Sequence, residues 1–357
     1  MQFMSDFQNK IHNDDIGRKF SSLLTPNDLK LRYPLAKDDI GRIAKHREVV
    51  TNIIQGTDSR LLLICGPCSI HDPAAAVDYA YRLKALAQTV NSDIYIVMRT
   101  YFEKPRTTVG WKGFVNDPDC DGTCNIEKGL LKARELSILL TKIGLPLATE
   151  VLDPYVCHYF DDVFSWGAIG ARTTESQIHR EVASSLQAPI GFKNSTNGNV
   201  VVAVNSIKAA SKGHHYIGIN QQGDICKIKT QGNTCAHLIL RGGKVPNYSS
   251  KQVKNYANKM RESGVLPAII IDCSHNNSNK DYRKQRLVAD SVVKQIVAGN
   301  HSIVGMMLES NINAGKQSVS SEIKSMQYGV SITDECLDWQ ATEKIVLDIN
   351  KQLSKRK

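Results

Sequence analysis

Leu61-Leu62-Leu63-Ile64-Cys65-Gly66-Pro67-Cys68-Ser69-Ile70-His71 is the stretch whose reading decides the fold. Five apolar residues run unbroken into a glycine–proline turn, and small polar residues follow. A strand with one wet face alternates apolar and polar positions, whereas an unbroken run is that of a strand covered on both faces, as in a parallel sheet. Outward from it, the same unit recurs. Apolar runs stand at 94–98, 146–149, 168–169, 189–192, 237–240, 268–271 and 303–308. Between them, apolar residues return at three- and four-residue spacing over 75–88, 126–143, 174–186, 200–210, 249–263, 283–298 and 342–353. This is the helix period. Eight strand–helix units predict a (β/α)8 TIM barrel rather than an open doubly wound sheet.

Two segments stand outside the rhythm. Residues 1–58 are polar, with helical patches at 25–32 and 38–54, and read as an N-terminal extension to a barrel spanning 59–357. Residues 215–220 and 225–230 flank Gln221-Gln222-Gly223-Asp224, which predicts a β-hairpin inserted at about 214–231. The 357 residues hold 41% hydrophobic and 22% charged side chains, an ordinary globular mix. No apolar run approaches the length of a membrane span, no secretory signal opens the chain, and nine cysteines show no small-scaffold spacing. A cytoplasmic protein with reduced thiols is the expectation. The net charge of +10 invites anionic partners, but only 6% of residues are aromatic, which argues against a nucleic-acid groove.

Polar residues collect where the apolar runs end: Cys68 and Ser69, Arg99, Glu150, Arg172, Lys193, Arg241, Asp272 with His275, and Glu309. In a barrel those ends converge on the face where active sites are built. Arg99, Lys104, Arg172, Lys193 and Arg241 are cations, and Arg106 adds a sixth nearby. Crowded cations call for a small ligand bearing several phosphates or carboxylates. Cys68, His275, Glu309 and Asp334 offer a thiolate, an imidazole and two carboxylates, a donor set suited to one divalent Mn, Fe, Co or Zn ion. Cys65 and Cys68 also have the spacing of a redox pair; the alternative is a buried structural thiol at Cys65. Asp272 reads either as a support for His275 or as a structural cap.

Gly66-Pro67-Cys68-Ser69-Ile70-His71, Arg99 with Lys104-Pro105-Arg106-Thr107, Gly170-Ala171-Arg172-Thr173-Thr174-Glu175-Ser176, Gly191-Phe192-Lys193-Asn194, Arg241-Gly242-Gly243 and Asp272-Cys273-Ser274-His275 resemble the class I 3-deoxy-D-arabino-heptulosonate 7-phosphate (DAHP) synthases. The likeness runs in order from about Leu61 to Trp339, and the extension and hairpin resemble those of the feedback-regulated bacterial and yeast enzymes. It implies a transferase that condenses phosphoenolpyruvate with D-erythrose 4-phosphate in the first step of the shikimate pathway to aromatic amino acids. The family's metal ligands fall on Cys68, His275, Glu309 and Asp334. Its phosphoenolpyruvate contacts fall on Arg99, Lys104, Arg172, Lys193 and Arg241, and its erythrose 4-phosphate contacts on Arg106 and Thr107. Lys104, Cys68 and His275 are the implied catalytic residues, with Lys104 the candidate acid for the aldehyde oxygen.

The resemblance further implies a homo-oligomer, a dimer or tetramer, and an aromatic amino acid as inhibitor. Gly218-Ile219-Asn220-Gln221 and Asp153-Pro154 look like the tyrosine-sensitive type, whereas His158 and Gln187 depart from it. Asp14 and Asp15 read either as part of the inhibitor pocket or as exposed acids at a helix start. Two other functions fit the same barrel: a 3-deoxy-octulosonate 8-phosphate synthase using arabinose 5-phosphate, and a non-catalytic sensor of aromatic amino acids. The Lys104-Pro105-Arg106-Thr107 segment favours the four-carbon sugar, and the metal quartet argues against a sensor.

Overall fold

The computed structural model describes residues 19–106, 108–320 and 325–356. Eight parallel strands close on themselves: β1 Leu61–Gly66, β2 Ile94–Arg99, β3 Leu147–Glu150, β4 Trp166–Ile169, β5 Ile190–Lys193, then β8 His237–Leu240, β9 Ile269–Asp272 and β10 Ile303–Glu309. β10 pairs with β1, from Leu62 opposite Gly305 to Gly66 opposite Glu309, and this seam makes the sheet a barrel. β6 His215–Ile219 and β7 Ile225–Lys229 form a separate antiparallel hairpin. The predicted barrel and inserted hairpin are therefore both present.

The apolar runs end one residue early. Arg99, Glu150, Lys193, Asp272 and Glu309 are the last residues of their strands rather than the first of their loops. The ladder carries them, since Glu309 stands opposite Gly66, Glu150 opposite Ala168 and Asp272 opposite Met307. Hydropathy stops at the first polar side chain, but main-chain pairing does not. The weak fourth run is a full strand because Trp166 and Gly167 belong to it, and Trp166 is fully buried.

Alternation within the strands sorts the core into two layers. Leu61, Leu63 and Cys65 pack outward among the helices, whereas Leu62 and Ile64 join Val97, Trp166, Ile239, Ile270 and Met307 inside the barrel. Helix α2, Lys37–Gln55, adds Val50, Ile53 and Ile54 to that inner cluster, against the strand-start residues Tyr95 and Val304. It closes the N-terminal mouth and leaves the other end for the site. Helix α1, Pro26–Arg32, opens with a reciprocal cap between Thr25 and Asp28. It docks on the hairpin turn, where Asn27 N–H donates to Gln221 O at 2.8 Å and Lys30 Nζ to Gln221 Oε1 at 2.7 Å, while Lys30 Nζ also pairs with Asp161 of the β3–β4 connection at 2.5 Å.

The remaining helices are α3 Pro73–Val90, α4 Ile126–Ile143, α5 Gln177–Ser185, α6 Val200–Ala210, α7 Ser250–Glu262, α8 Gln285–Val297 and α9 Trp339–Leu353. Among the described residues no helix is long and apolar enough to cross a membrane.

Candidate active site

A cleft of about 530 Å³ opens at the C-terminal ends of the strands. All six predicted cations line it: Arg99, Lys104, Arg106, Arg172, Lys193 and Arg241. The deepest is Arg99, which is fully buried. Its guanidinium donates to Pro67 O at 3.2 Å and Cys68 O at 3.3 Å, pairs with Glu309 Oε1 at 3.0 Å, and lies 4.0 Å above the Tyr101 ring. Lys193 Nζ rests 3.1 Å from Asp272 Oδ2. Arg106 is exposed at the rim. Thr107, Asp14 and Asp15 lie outside the described residues.

Beside the cations, Cys68 Sγ and carboxylate oxygens of Glu309 and Asp334 lie within 4.8 Å of one another, a group able to hold a metal ion. His275 stands beside this trio, its Nε2 3.8 Å from Glu309 Oε1. Its Nδ1 is held by Asp272 Oδ2 at 2.9 Å and Ser274 Oγ at 2.7 Å, which turns Nε2 toward the cluster. Thus Asp272 supports His275 and Lys193 together, while its Oδ1 accepts from Ser274 N at 3.0 Å. A thiolate with carboxylates and a neighbouring imidazole is the donor chemistry of a borderline transition metal, so the residues fit such an ion.

Charge and burial oppose each other here. Burial, then Glu309, pushes the Cys68 thiol up to about 12, against the pull of Lys104. A bound divalent cation reverses that balance and favours the thiolate. Burial also works against the Lys104 ammonium, but Cys68, Glu309 and Asp334 outweigh it and hold its pKa above the usual lysine range. Lys104 Nζ lies 3.1 Å from Cys68 Sγ. Burial resists the charged form of Asp334, yet Lys104 and His275 bring its carboxyl down to about 2. Cys65 is a different case: it is buried, lies 3.3 Å from Tyr79 Oη, and is pushed up to about 11 chiefly by burial. A thiol so held is poorly suited to redox exchange.

The structure adds residues that the sequence did not single out. Lys280 lines the cleft as a further cation with φ +60, its N–H donating to His275 O at 2.7 Å. A lysine in a left-handed turn five residues beyond His275 carries no sequence signal. Below Arg241, Asn194 Oδ1 accepts from Arg241 N at 2.9 Å and from Asn247 Nδ2 at 3.1 Å, and Asn247 N donates to Asn277 Oδ1 at 2.9 Å. This buried amide network ties the ends of β5, β8 and β9. Tyr101 Oη is buried at the cleft wall without a hydrogen-bond partner among the described residues.

A second, smaller pocket lies behind the cleft. Its lining includes Glu103, Cys157, Phe160, Leu186 and Gln187, and Glu150 belongs to both pockets.

A parallel barrel with a cation-lined cleft over a thiol–carboxylate cluster defines the class: a (β/α)8-barrel enzyme built for a small polyanion. The chain belongs to the DAHP synthetase I family, whose family model matches residues 35–347. The Tyr-sensitive phospho-2-dehydro-3-deoxyheptonate aldolase of Salmonella typhimurium is 53% identical over 332 residues, covering 93% of each chain. The Phe-sensitive aldolase of the same name from Escherichia coli K12 is 44% identical over 97% of this chain and 99% of that one. The solved phospho-2-dehydro-3-deoxyheptonate aldolase of Francisella tularensis superposes with a TM-score of 0.92 at 45% identity, covering 95% of this chain and 99% of that one.

Proposed function

We propose that this enzyme condenses phosphoenolpyruvate with D-erythrose 4-phosphate and water, giving 3-deoxy-D-arabino-heptulosonate 7-phosphate and inorganic phosphate as the entry to aromatic amino acid synthesis. The observation that carries this reading is the gathering of six cations in one cleft, next to the Cys68–Glu309–Asp334 group. Arg99, Lys104, Arg172, Lys193 and Arg241 hold the phosphate and carboxylate of phosphoenolpyruvate, and Arg106 with Thr107 takes the sugar phosphate. Cys68, His275, Glu309 and Asp334 hold one divalent ion, which when bound supplies Lewis-acid polarisation of the aldehyde.

The enol carbon of phosphoenolpyruvate attacks the aldehyde carbon, and Lys104 delivers a proton to the aldehyde oxygen. Water adds at the carbon bearing phosphate and loses a proton. The hydroxyl of the resulting hemiketal phosphate then gives up its proton to the departing phosphate, forming the ketone as the C–O bond to phosphate breaks. The cations keep the anionic groups in place while charge moves between them.

Regulation by tyrosine follows from the same reading, since the 53% identical relative is named Tyr-sensitive. We place the inhibitor in the second pocket, with residues 1–58 as a regulatory and oligomer-forming extension to the 59–357 barrel. Ile217 and Ile225, 81% and 80% exposed, lie on the outer face of the hairpin and suit a contact between copies of the chain.

The test is phosphate release from phosphoenolpyruvate, with erythrose 4-phosphate or arabinose 5-phosphate, before and after EDTA. Release that needs the four-carbon sugar, stops with EDTA and returns with Mn²⁺ is expected. Release with arabinose 5-phosphate alone would move the assignment to an octulosonate synthase, and no release with either sugar would overturn it.

A further inference from the structure

The connection from β2 to α4 contains Asp117-Pro118-Asp119-Cys120-Asp121-Gly122-Thr123, for which the proposed reaction has no use. Acids stand at its first, third and fifth positions and glycine at its sixth. This is the opening of a twelve-residue calcium loop, whose seventh position lends a main-chain carbonyl, its ninth a polar side chain and its twelfth a carboxylate. Counted from Asp117, the seventh is Thr123, the ninth Asn125 and the twelfth Lys128. Gly122 takes φ +77, the sharp turn such a loop needs at that place.

The acids alone would not make a site, but Asp117 adds an independent sign. Asp117 is only 7% exposed, and its Oδ2 accepts from Gly122 N across the loop at 3.2 Å. Its Oδ1 is buried with no hydrogen-bond partner among the described residues. A buried carboxylate oxygen left without a partner is costly, and a cation beside it removes the cost. Asp119 meanwhile turns to Lys128 at 2.5 Å and Lys132 at 3.4 Å, so the twelfth residue occupies as a cation the place where a closing carboxylate belongs.

We propose that this loop is a second cation site, binding Ca²⁺ through Asp117, Asp119, Asp121 and the main-chain carbonyl of Thr123, separate from the cluster at Cys68. Oxygen-only donors select a hard cation, whereas the thiol of the cleft selects a softer one. With lysine at the twelfth position the site is weak, with a Kd on the order of 10⁻⁴–10⁻³ M. Binding draws Asp119 away from Lys128 and fastens the loop ahead of α4.

Trp111 gives the test its readout, because its Nε1 donates to Asp117 O at 2.8 Å. The full-length protein, stripped with EDTA and dialysed, is titrated with Tb³⁺ while emission excited through tryptophan is recorded. Sensitised emission that Ca²⁺ displaces is expected, with affinity at least tenfold weaker in Asp121→Asn and unchanged in Cys68→Ala. Lys128→Glu supplies the missing carboxylate and tightens Ca²⁺ binding at least threefold, a gain that a merely misfolded loop cannot give. Absence of displaceable emission, or emission indifferent to both Asp121→Asn and Lys128→Glu, overturns the proposal and leaves the reaction proposed for the cleft untouched.

Discussion

Asp272 is buried between His275 at 2.9 Å and Lys193 at 3.1 Å. Burial opposes its charge, but those partners hold its carboxyl well below the usual range. Asp272→Asn keeps the shape and removes the charge, so kcat/KM should fall about 10–100-fold together with metal affinity. Retained metal affinity, measured by competition with a chelator, would assign Asp272 to the lysine alone. Lys104→Met separates two roles. Loss of a proton donor lowers kcat about a hundredfold or more, whereas loss of a binding contact raises KM and spares kcat.

Glu103 gives a pH signature. Burial, then Asp153 and Glu150, pushes its carboxyl well above the usual glutamate range. A raised folded-state pKa means that stability is full below the unfolded value of about 4 and declines as pH rises. Glu103→Gln should therefore raise Tm at pH 8 and change it little near pH 4. A drop at pH 8 would mean that the ionised carboxylate is needed where it stands.

Among the elements, α4 shows how closely the outer layer fits. A Cβ on Gly129 would stand 2.0 Å from Val115 O. Gly129→Ala should cost about 1–3 kcal/mol in denaturant unfolding, although alanine is the better helix former. α4 itself was legible from Ile126 to Ile143, because its apolar stripe keeps the helix period between Asn125 as cap and Gly144 as left-handed stop. The strands were legible for a similar reason, with their last residues lost where hydropathy changes but hydrogen bonding continues. Most of the cleft was legible too, since strand-end chemistry is a local signal once the barrel is assumed. The amide network was not: Asn194, Asn247 and Asn277 meet only because three strands end side by side. Asn194→Ala leaves Arg241 N and Asn247 Nδ2 without their acceptor, at about 1–3 kcal/mol of stability. If calorimetry shows no loss, water has replaced the amide.

For the molecule as a whole, two histidines contribute to the loss of stability in acid. His237 is fully buried, with Nε2 accepting from Trp166 Nε1 at 3.0 Å and Nδ1 2.8 Å from Cys235 O; burial lowers it to about 4. Burial, helped by Lys84 and Arg42, lowers His46 equally, to about 4. The unfolded chain protonates both near pH 6.5 while the folded one does not. Stability is thus present above that value and lost as pH falls toward 4. Unfolding at pH 5 should take up about two protons from this pair. His237→Gln keeps an acceptor for Trp166 and should halve that uptake.

The seam between β1 and β10 governs how the protein is made. Cys68 follows the first barrel strand, and Glu309 closes the last, so synthesis separates them by most of the coding sequence. On the ribosome the early strands must wait with one hydrogen-bonding edge open, a condition that favours wrong pairing. Chains truncated before β10 should gather on chaperones or aggregate, and the Cys68–Glu309–Asp334 group can form only after the final strand and Asp334 have emerged. Assembly of that group therefore marks a closed barrel.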